Sequence, residues 1–386
     1  MKNLNFILTS TLLLFSCGNV ENSELEEVVV DIGISCRLPL SEITEEITTI
    51  DLELTDESII NPDRILKVLL LDSLIFIAEM DKMLVFDLEG RFVRSIGSKG
   101  HGPGEYIGIK SFTVDEKNKI IYIIYYSTII IYDLNGNFLK QITLQNNSNG
   151  GQILGLHCFN DELLLLVEFI REGQVENNNK LKCFHSVIYK MNDEIQFIDS
   201  CSIRDVYFEI PFLKGLLKEY LTYNNSNVYL YFPETYSLLV NFHPPLQDLG
   251  PVKRVSRDTL YRFENNLLIP ELKFTFKRNG RNYETDKYIG LIEVYRSSRY
   301  IFAEYEIGTD LSSHFYFCFD TETGISYNSK YSREELRGKD GKRMIRPICN
   351  NTELFYYWHT HVKPGDVEEP NPTLYIGKLK KNSIQD

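Results

Sequence analysis

An eleven-residue pattern that occurs twice constrains the fold of this chain more than any other feature. Residues 86–96 read FDLEGRFVRSI and residues 132–142 read YDLNGNFLKQI, so the copies lie 46 residues apart. Each copy places Asp-Leu-x-Gly between two short apolar runs, where glycine supplies a positive φ angle and aspartate bonds the local backbone of a hairpin turn. The strand-like segments IFIAEMDKMLVF and IIYIIYYSTIIIY precede the two copies. Repeats of this length built from short strands are typical of β-propeller blades.

Weaker copies of the same unit continue toward the C-terminus. They begin at LGLHCF (residue 154), LTYNNS (residue 221), IGLIEV (residue 289) and IRPICN (residue 345). Aromatic residues make up 12% of the chain, which favours strands, because flat side chains pack well on a pleated, half-buried surface. We therefore predict an all-β chain whose residues 47–386 form a six-bladed β-propeller.

The N-terminus has the features of an export signal. Lys2 precedes an apolar run over residues 6–15, which is too short to span a bilayer as a helix of about 20 residues but suits a secretory signal. The run ends in LFSC, which matches a bacterial lipobox, so we expect a signal peptide over residues 1–16 and a lipid on Cys17. A plain signal peptide with a chance cysteine is the alternative. Residues 17–46 are acidic and poor in aromatics, which predicts a flexible tether.

Charge and cysteine content narrow the possible partners. The formal net charge of −13 argues against nucleic acid or an anionic membrane surface as the main partner. The six cysteines after Cys17 are scattered and form no C-x-x-C pair, and an even number in an exported chain permits disulfides. We favour buried thiols instead, because several of these cysteines sit in apolar strand-like runs. Those cysteines are Cys158, Cys183 and Cys318.

A glycine-rich stretch, GSKGHGPGEYIG at residues 97–108, invites comparison with phosphate-binding loops. Pro103 and Gly104 stand where a Walker A loop needs lysine and a hydroxyl residue, and SFTVDEKNKIIYIIY follows, which alternates like strands rather than opening a helix. We therefore interpret the stretch as a linker between blades, at the mouth of the propeller channel. Its polar side chains are the candidate ligand-binding residues: Lys99, His101, Glu105 and Tyr106.

Signals for catalysis are sparse. His359 and His361 form an H-x-H pair whose rings would lie on one face of a strand, but no third metal ligand stands at a matching spacing. Surface or channel-lining histidines are the preferred interpretation. The chain contains neither a G-x-S-x-G elbow nor an H-E-x-x-H motif. We expect no cofactor and no metal site.

Several segments together resemble the six-bladed β-propeller lipoproteins of Bacteroides-type bacteria, which are relatives of NHL-repeat propellers. The segments are the lipobox at Cys17, VFDLEGRFVRSIGSKGHGPGEY at 85–106, DTLYRFENNLLIP at 258–270 and NPTLYIGKLKK at 371–381. The third repeat unit matches poorly, and a long insertion precedes Asp258. The resemblance implies a fold and a cell-envelope location, at the outer membrane, but no reaction.

These observations lead to a functional hypothesis. The chain is expected to be an envelope-anchored lipoprotein that acts as a non-catalytic binding propeller for a peptide, a glycan or an envelope protein. The alternative is a metal-dependent lyase or hydrolase with its site at the channel mouth. A purely structural role in a larger envelope complex is a third possibility.

Overall fold

The computed structural model describes the following ranges of the chain: residues 25–144, 151–159, 162–174, 180–192, 194–208, 221–224, 227–231, 259–282, 289–307, 314–331, 345–348, 350–360 and 370–382. The predicted signal peptide, Cys17 and His361 lie outside these ranges.

Almost all of the described secondary structure is β-strand. The chain begins with β1 (Glu26–Asp31), the short helix α1 (Leu40–Ile43), β2 (Thr44–Asp51) and a 3₁₀ turn (Pro62–Arg64). Blade 1 contains β3 (Ile65–Leu71), β4 (Leu74–Glu79), β5 (Met83–Asp87) and β6 (Phe92–Ser95), and the linker after it carries β7 (Ser98–Lys99) and β8 (Glu105–Tyr106). Blade 2 contains β9 (Ser111–Asp115), β10 (Ile120–Tyr125), β11 (Thr128–Asp133) and β12 (Phe138–Thr143).

The later blades follow the same order. Blade 3 contains β13 (Gln152–Phe159), β14 (Glu162–Gln174), β15 (Lys180–Met191) and β16 (Phe197–Phe208). Blade 4 contains β17 (Leu221–Asn224), β18 (Asn227–Tyr231), β19 (Thr259–Glu264) and β20 (Leu267–Arg278), followed by the short β21 (Arg281–Asn282). Blade 5 contains β22 (Ile289–Arg296), β23 (Tyr300–Ile307), β24 (His314–Asp320) and β25 (Ser326–Tyr331), and blade 6 contains β26 (Arg346–Ile348), β27 (Asn351–His359) and β28 (Thr373–Leu379).

The four main strands of each blade form one antiparallel sheet, which confirms the predicted six-bladed propeller. The last blade takes its fourth strand from the other end of the chain, because β2 pairs with β28 from Thr44–Leu379 to Asp51–Thr373. The ring is therefore closed by hydrogen bonds between the N-terminal and C-terminal strands.

Six apolar clusters fill the spaces between neighbouring blades within the described residues. Between blades 1 and 2, for example, Phe76 and Val85 pack with Phe112 and Ile123. Because most blades meet a neighbour on each face, their central strands are apolar on both faces, which explains runs such as IIYIIY in β10.

The first described strand corrects the expected boundary between tether and propeller. Residues 17–46 were expected to be flexible, but β1 pairs in parallel with β20, and Val28 and Val30 are fully buried against blades 4 and 5. The described part of the folded body therefore begins at Glu26 rather than near Ile47. The acidic composition of this segment was misleading, because its charged residues flank an alternating apolar strand.

The segment between β1 and β2 continues around the outside of the ring. Cys36 exchanges two backbone hydrogen bonds of 2.9 Å with Asn328 of β25, and the Tyr327 hydroxyl donates to the Glu42 carboxylate at 2.7 Å. We call residues 26–43 the N-terminal strap. It follows the outer edges of blades 4 and 5 and then leads into blade 6.

The cysteine side chains that the structure describes are free thiols at Cys36, Cys158, Cys201 and Cys318, and the side chain of Cys183 is outside that set. Cys318 is fully buried between blades 5 and 6, and this burial holds the pKa of its thiol well above the ordinary value. The prediction of a buried thiol is confirmed at Cys318. Cys158 is only partly buried, Cys36 is exposed, and Cys349 lies outside the described ranges.

Candidate functional site

The glycine-rich stretch joins β6 of blade 1 to β9 of blade 2, which confirms the predicted linker. Within it, β7 and β8 pair in parallel. Gly97 and Gly104 have φ angles of +65° and +75°, which other residues adopt only with strain. A Cβ at Gly97 would also stand 2.4 Å from the Tyr132 hydroxyl. These glycines are therefore explained by the path of the backbone.

Two of the four candidate ligand residues hold the linker together. Tyr106 is buried, and its hydroxyl donates to the Ile96 carbonyl at 2.6 Å. Burial also raises the pKa of Tyr106 far above its ordinary value. The expectation that its side chain contacts a ligand is therefore corrected. The Glu105 carboxylate accepts a 2.8 Å hydrogen bond from the Gly102 N–H, which closes the turn.

The other two candidates remain exposed on the linker. The Lys99 ammonium lies 3.6 Å from the Asp81 carboxylate, and Asp81 also receives the Arg64 guanidinium at 3.1 Å. His101 is exposed. Lys99 and His101 thus form part of a charged rim beside the turn between β4 and β5. Both are accessible to a partner, and their role in ligand binding stays a prediction.

A buried carboxylate lies beneath this rim. Glu79, at the end of β4, accepts a 3.0 Å hydrogen bond from the Asn61 N–H and lies 3.6 Å from the Lys82 ammonium. Burial raises its pKa, and the Asn61 hydrogen bond and Lys82 lower it by less. The native state therefore holds the Glu79 proton to a higher pH than the unfolded chain does.

This shift predicts a pH dependence of stability. Because the native pKa is raised, the contribution of Glu79 is present at acidic pH and is lost as pH rises from about 4.5 through the native pKa. We expect Glu79→Gln to remove this loss. Between pH 5 and pH 8 the free energy of unfolding of the variant should decrease by about 1 kcal/mol less than that of the wild type. Urea unfolding at both pH values measures the difference. Glu89→Gln, at an exposed turn, is the control, and equal pH slopes in wild type and Glu79→Gln would contradict the assignment.

A second charged group, which sequence analysis did not find, lies between blades 5 and 6. Along β23 the side chains alternate between two faces, and Tyr300 and Phe302 pack toward blade 6. Glu304 and Glu306 continue the same face, and both are buried. The signal in the sequence was a pair of glutamates two residues apart inside an otherwise apolar strand.

His314 stands between these two glutamates at the start of β24. Its Nδ1 atom lies 3.6 Å from the Glu304 carboxylate and its Nε2 atom lies 3.7 Å from the Glu306 carboxylate. Glu306 and His314 are directly paired across β23 and β24. The imidazole thus lies between two buried carboxylates and keeps them apart.

Arg346 completes this group from blade 6. Its guanidinium lies 3.5 Å from the Glu293 carboxylate of β22, and the two side chains keep 42% and 36% of their surface exposed. Burial lowers the pKa of Arg346, but Glu293 and Glu304 raise it by more, so the guanidinium stays charged. We call Glu293, Glu304, Glu306, His314 and Arg346 the blade 5–6 cluster.

Hydrogen-bonded tyrosines form the floor of the blade 5–6 cluster. The hydroxyls of Tyr295 and Tyr316 lie 2.6 Å apart, and Tyr316 also contacts the Ile345 carbonyl at 3.1 Å. Tyr295 stacks on Phe302 with 4.5 Å between ring centroids. The aromatic layer fixes the strands that carry the charges, because buried hydroxyls with partners resist displacement.

The strand directions define two faces of the propeller. Linkers between blades lie at one end of the strands, together with the turns between the second and third strand of each blade, and we call this end the connection face. The linker and the β4–β5 turn touch there, through a 2.7 Å hydrogen bond from the Ile109 N–H to the Met80 carbonyl. The opposite end, with the turns between first and second strands, is the terminal face.

Both described chain ends lie at one turn of the terminal face. Glu26 pairs with Arg296 at 3.0 Å, at the end of β22. The Asn382 side-chain amide donates to the Ser298 carbonyl at 3.0 Å, in the turn between β22 and β23. The charged rim of Lys99 and His101 lies on the other face.

Metal-ligating arrangements are missing from the described ranges. No three His, Cys, Asp or Glu side chains there have positions suited to a metal ion. His359 ends β27, but its predicted partner His361 falls outside those ranges. The H-x-H hypothesis therefore stays untested.

Comparison with known families identifies the chain. A family model with the description "Domain of unknown function (DUF4934)" matches residues 27–385. The chain belongs to the DUF4934 family. The match begins inside β1, so the DUF4934 domain includes the N-terminal strap as well as the blades. No curated protein gives a significant match.

Two solved structures from Bacteroides share the fold of this DUF4934 chain. A Bacteroides fragilis protein, described as an inferred exported protein, has a TM-score of 0.62 at 18% identity, with 92% of this chain and 100% of that chain covered. A member of the DUF4221 family from Bacteroides vulgatus has a TM-score of 0.52 at 9% identity, with 88% and 98% covered. At these identities the likeness concerns the fold alone. It agrees with the resemblance to Bacteroides-type propellers.

Proposed function

We propose that this DUF4934 protein is an envelope-anchored lipoprotein that binds its ligand, without catalysis, at the connection face. The observation that carries the proposal is the position of the chain ends. On the terminal face, Glu26 contacts Arg296 at the end of β22, and Asn382 contacts Ser298 in the turn that follows. A lipid attached upstream of Glu26 holds that face toward the membrane and leaves the connection face open.

Other observations support an extracytoplasmic location. The lipobox places Cys17 nine residues before Glu26, a distance of about 30 Å when extended. The similar protein from Bacteroides fragilis is described as an inferred exported protein. In the ranges that the structure covers, no helix is both long and apolar enough to cross a bilayer. Outer-membrane attachment is the location that the resemblance suggests.

The connection face offers accessible charged groups to a partner. Lys99 and His101 are exposed there, and Lys99 is paired only loosely with Asp81 at 3.6 Å. A peptide, a glycan or an envelope protein would meet these side chains first. The net charge of −13 disfavours nucleic acid.

Changing Cys17 tests the anchor. We expect Cys17→Ala to move the protein from the membrane fraction to the soluble fraction and to abolish labelling by an alkyne fatty acid. Cys36→Ala, which changes an exposed thiol in the strap, is the matched control and should stay membrane-bound and labelled. A Cys17→Ala protein that still takes up the fatty acid would refute the anchor.

Photo-crosslinking from each face tests the binding surface. A photoreactive residue at Lys99 probes the connection face, and one at Ser73, in the exposed turn between β3 and β4, probes the terminal face. We expect discrete adducts in intact cells from position 99 and none of comparable yield from position 73. Adducts of equal yield from both positions, or none from position 99, would overturn the proposed binding face.

A further inference from the structure

Large apolar and aromatic side chains are exposed across the connection face of blades 1 and 2. Four residues keep a substantial part of their surface open to solvent: Ile59 at 53%, Met80 at 51%, Ile107 at 38% and Tyr126 at 73%. Ile59 and Ile107 lie in linkers between blades, whereas Met80 and Tyr126 lie in turns between second and third strands. All four therefore belong to the connection face, and we call them the connection-face strip.

Hydrogen bonds join the segments that carry the strip. The Lys82 ammonium, in the turn between β4 and β5, donates to the Ile59 carbonyl. In the same turn the Met80 carbonyl accepts a 2.7 Å hydrogen bond from the linker between blades 1 and 2. That linker continues to Lys110, whose N–H donates at 2.8 Å to the residue two before Tyr126. Exposed apolar side chains gathered in this way mark a contact with another molecule, whereas scattered ones need no explanation.

Tyr126 is held in an unfavourable backbone conformation. Its φ angle is +51°, in the left-handed region that bulky residues adopt only at a cost in free energy. Its ring meets the Tyr125 ring edge to face, with 4.6 Å between the centroids. The turn thus carries strain while the Tyr126 side chain stays largely exposed. Strain of this kind clusters at ligand-binding sites, where it presents a side chain to a partner.

Basic groups border the strip, and acidic groups are less exposed than they are. In each of three ion pairs of the described residues the cation is the more exposed partner. Lys99 and Arg64 keep 67% and 41% of their side chains exposed, against 22% for Asp81. Lys82 keeps 33%, against 1% for Glu79. An approaching molecule therefore meets positive charge first, because the other charges of this acidic chain are screened beyond about 8 Å at physiological salt.

The strip and its basic border together suit one class of partner. The border complements carboxylates, and the strip complements apolar side chains. A polypeptide segment supplies both kinds of group at close spacing, whereas a glycan supplies hydroxyls and few apolar groups. Methionine and tyrosine, the residue types at positions 80 and 126, are also enriched at protein interfaces.

We propose that the connection-face strip binds an acidic polypeptide segment of a partner protein, with apolar side chains on the strip and carboxylates at Lys82 and Lys99. The inference rests on the binding function proposed above and specifies the chemistry of its ligand. The basic border accelerates the encounter, and the apolar contacts set how long the complex lasts.

Peptide display tests the ligand class. Random dodecapeptides are selected on the full-length protein, and their composition is compared with that of the unselected library. We expect the selected sequences to combine aspartate or glutamate with phenylalanine, leucine or isoleucine. Enrichment of basic sequences, or no enrichment at all, would overturn the proposal.

Two variants separate charge from apolar contact, with a synthetic peptide of the selected sequence as the probe. Lys99→Glu should lower the association rate constant about tenfold, because border charges act mainly on the approach. Tyr126→Asn should raise the dissociation rate constant about tenfold without lowering the denaturation midpoint, because asparagine tolerates the positive φ angle. The matched controls, Lys330→Glu and Ile325→Asn, change exposed side chains of blade 5 and should alter neither rate constant.

The possible outcomes distinguish this inference from the proposed function. A selected peptide that binds both test variants as it binds the wild type would refute the strip as its site. If position 99 gives adducts in cells while no acidic peptide is selected, only this inference fails. If a selected peptide depends on Lys99 and Tyr126 but position 99 gives no adducts, the strip remains a peptide site and the proposed function fails.

Discussion

Replacing Gly90 with alanine is expected to destabilise the protein by about 3 kcal/mol or more. Gly90 lies in the hairpin turn of blade 1 with a φ angle of +83°, which costs alanine about 1–2 kcal/mol. A Cβ there would also stand 2.2 Å from the backbone carbonyl oxygen of Asp51, at the end of β2. Backbone cannot rotate away as a side chain can, so the turn or the strand must move. Chemical denaturation measures the loss.

Gly136 provides a matched control for this substitution. It occupies the equivalent turn of blade 2 with the same φ angle of +83°. A Cβ at Gly136 would come no nearer than 3.3 Å to the Ile96 side chain and the Ser95 carbonyl. Gly136→Ala should therefore be destabilised only by the cost of a positive φ angle for alanine, about 1–2 kcal/mol. Equal losses in the two variants would show that the contact with β2 is not rigid.

Replacing Ile50 with aspartate is expected to open the ring or prevent folding. Ile50 lies in β2 and is buried among the residues of blades 6 and 1, with Leu374 and Phe86 in the same cluster. A carboxylate in this apolar place has no partner, and its burial costs several kcal/mol. Because β2 supplies the strand that pairs with β28 and completes blade 6, we expect a lower denaturation midpoint and faster limited proteolysis.

Thr48→Asp is the control for the closing strand. It places the same charge in β2 at an exposed position, so only the strand preference changes, by up to about 1 kcal/mol. A similar loss in both variants would indicate that charge in β2, rather than its burial, is responsible. An Ile50→Asp protein as stable as wild type would mean that β2 contributes little to ring closure.

The blades were predictable because their signals are local. The hairpins at Gly90 and Gly136 repeat within each unit, and the apolar runs of β4 and β10 have the length of buried strands. Turn chemistry and alternation act over a few residues, so one sequence reveals them. The partner of β2 is different, since nothing near Thr44 indicates that it pairs with Leu379.

The N-terminal strap was missed because composition was weighed above periodicity. Glu26 and Glu27 suggested a solvated tether, yet Val28 and Val30 alternate with Val29 as a strand requires. The parallel partner β20 lies far along the chain, so the sequence offered no sign of what would bury these valines.

For the candidate site, the sequence indicated which residues are exposed but not which side chains form internal contacts. Lys99 and His101 were selected because the glycine-rich linker marks an irregular surface connection, and both side chains are exposed as expected, while their ligand binding stays a prediction. Tyr106 was misassigned, since a tyrosine in a linker gives no indication that its hydroxyl closes a turn on Ile96. Glu304 and Glu306 were overlooked, because their partners His314 and Arg346 come from other strands.

The pairing of β2 with β28 also sets an order of events during folding. Thr44 is among the first residues of the domain to be made, and its partner Leu379 is among the last. The closing strand must therefore remain unpaired, with an exposed sheet edge, until β28 is available to pair with it. Contacts of such long sequence separation form slowly and leave aggregation-prone edges exposed meanwhile. Closure of the propeller ring is thus expected to depend on the arrival of β28, the last of the described strands to be made.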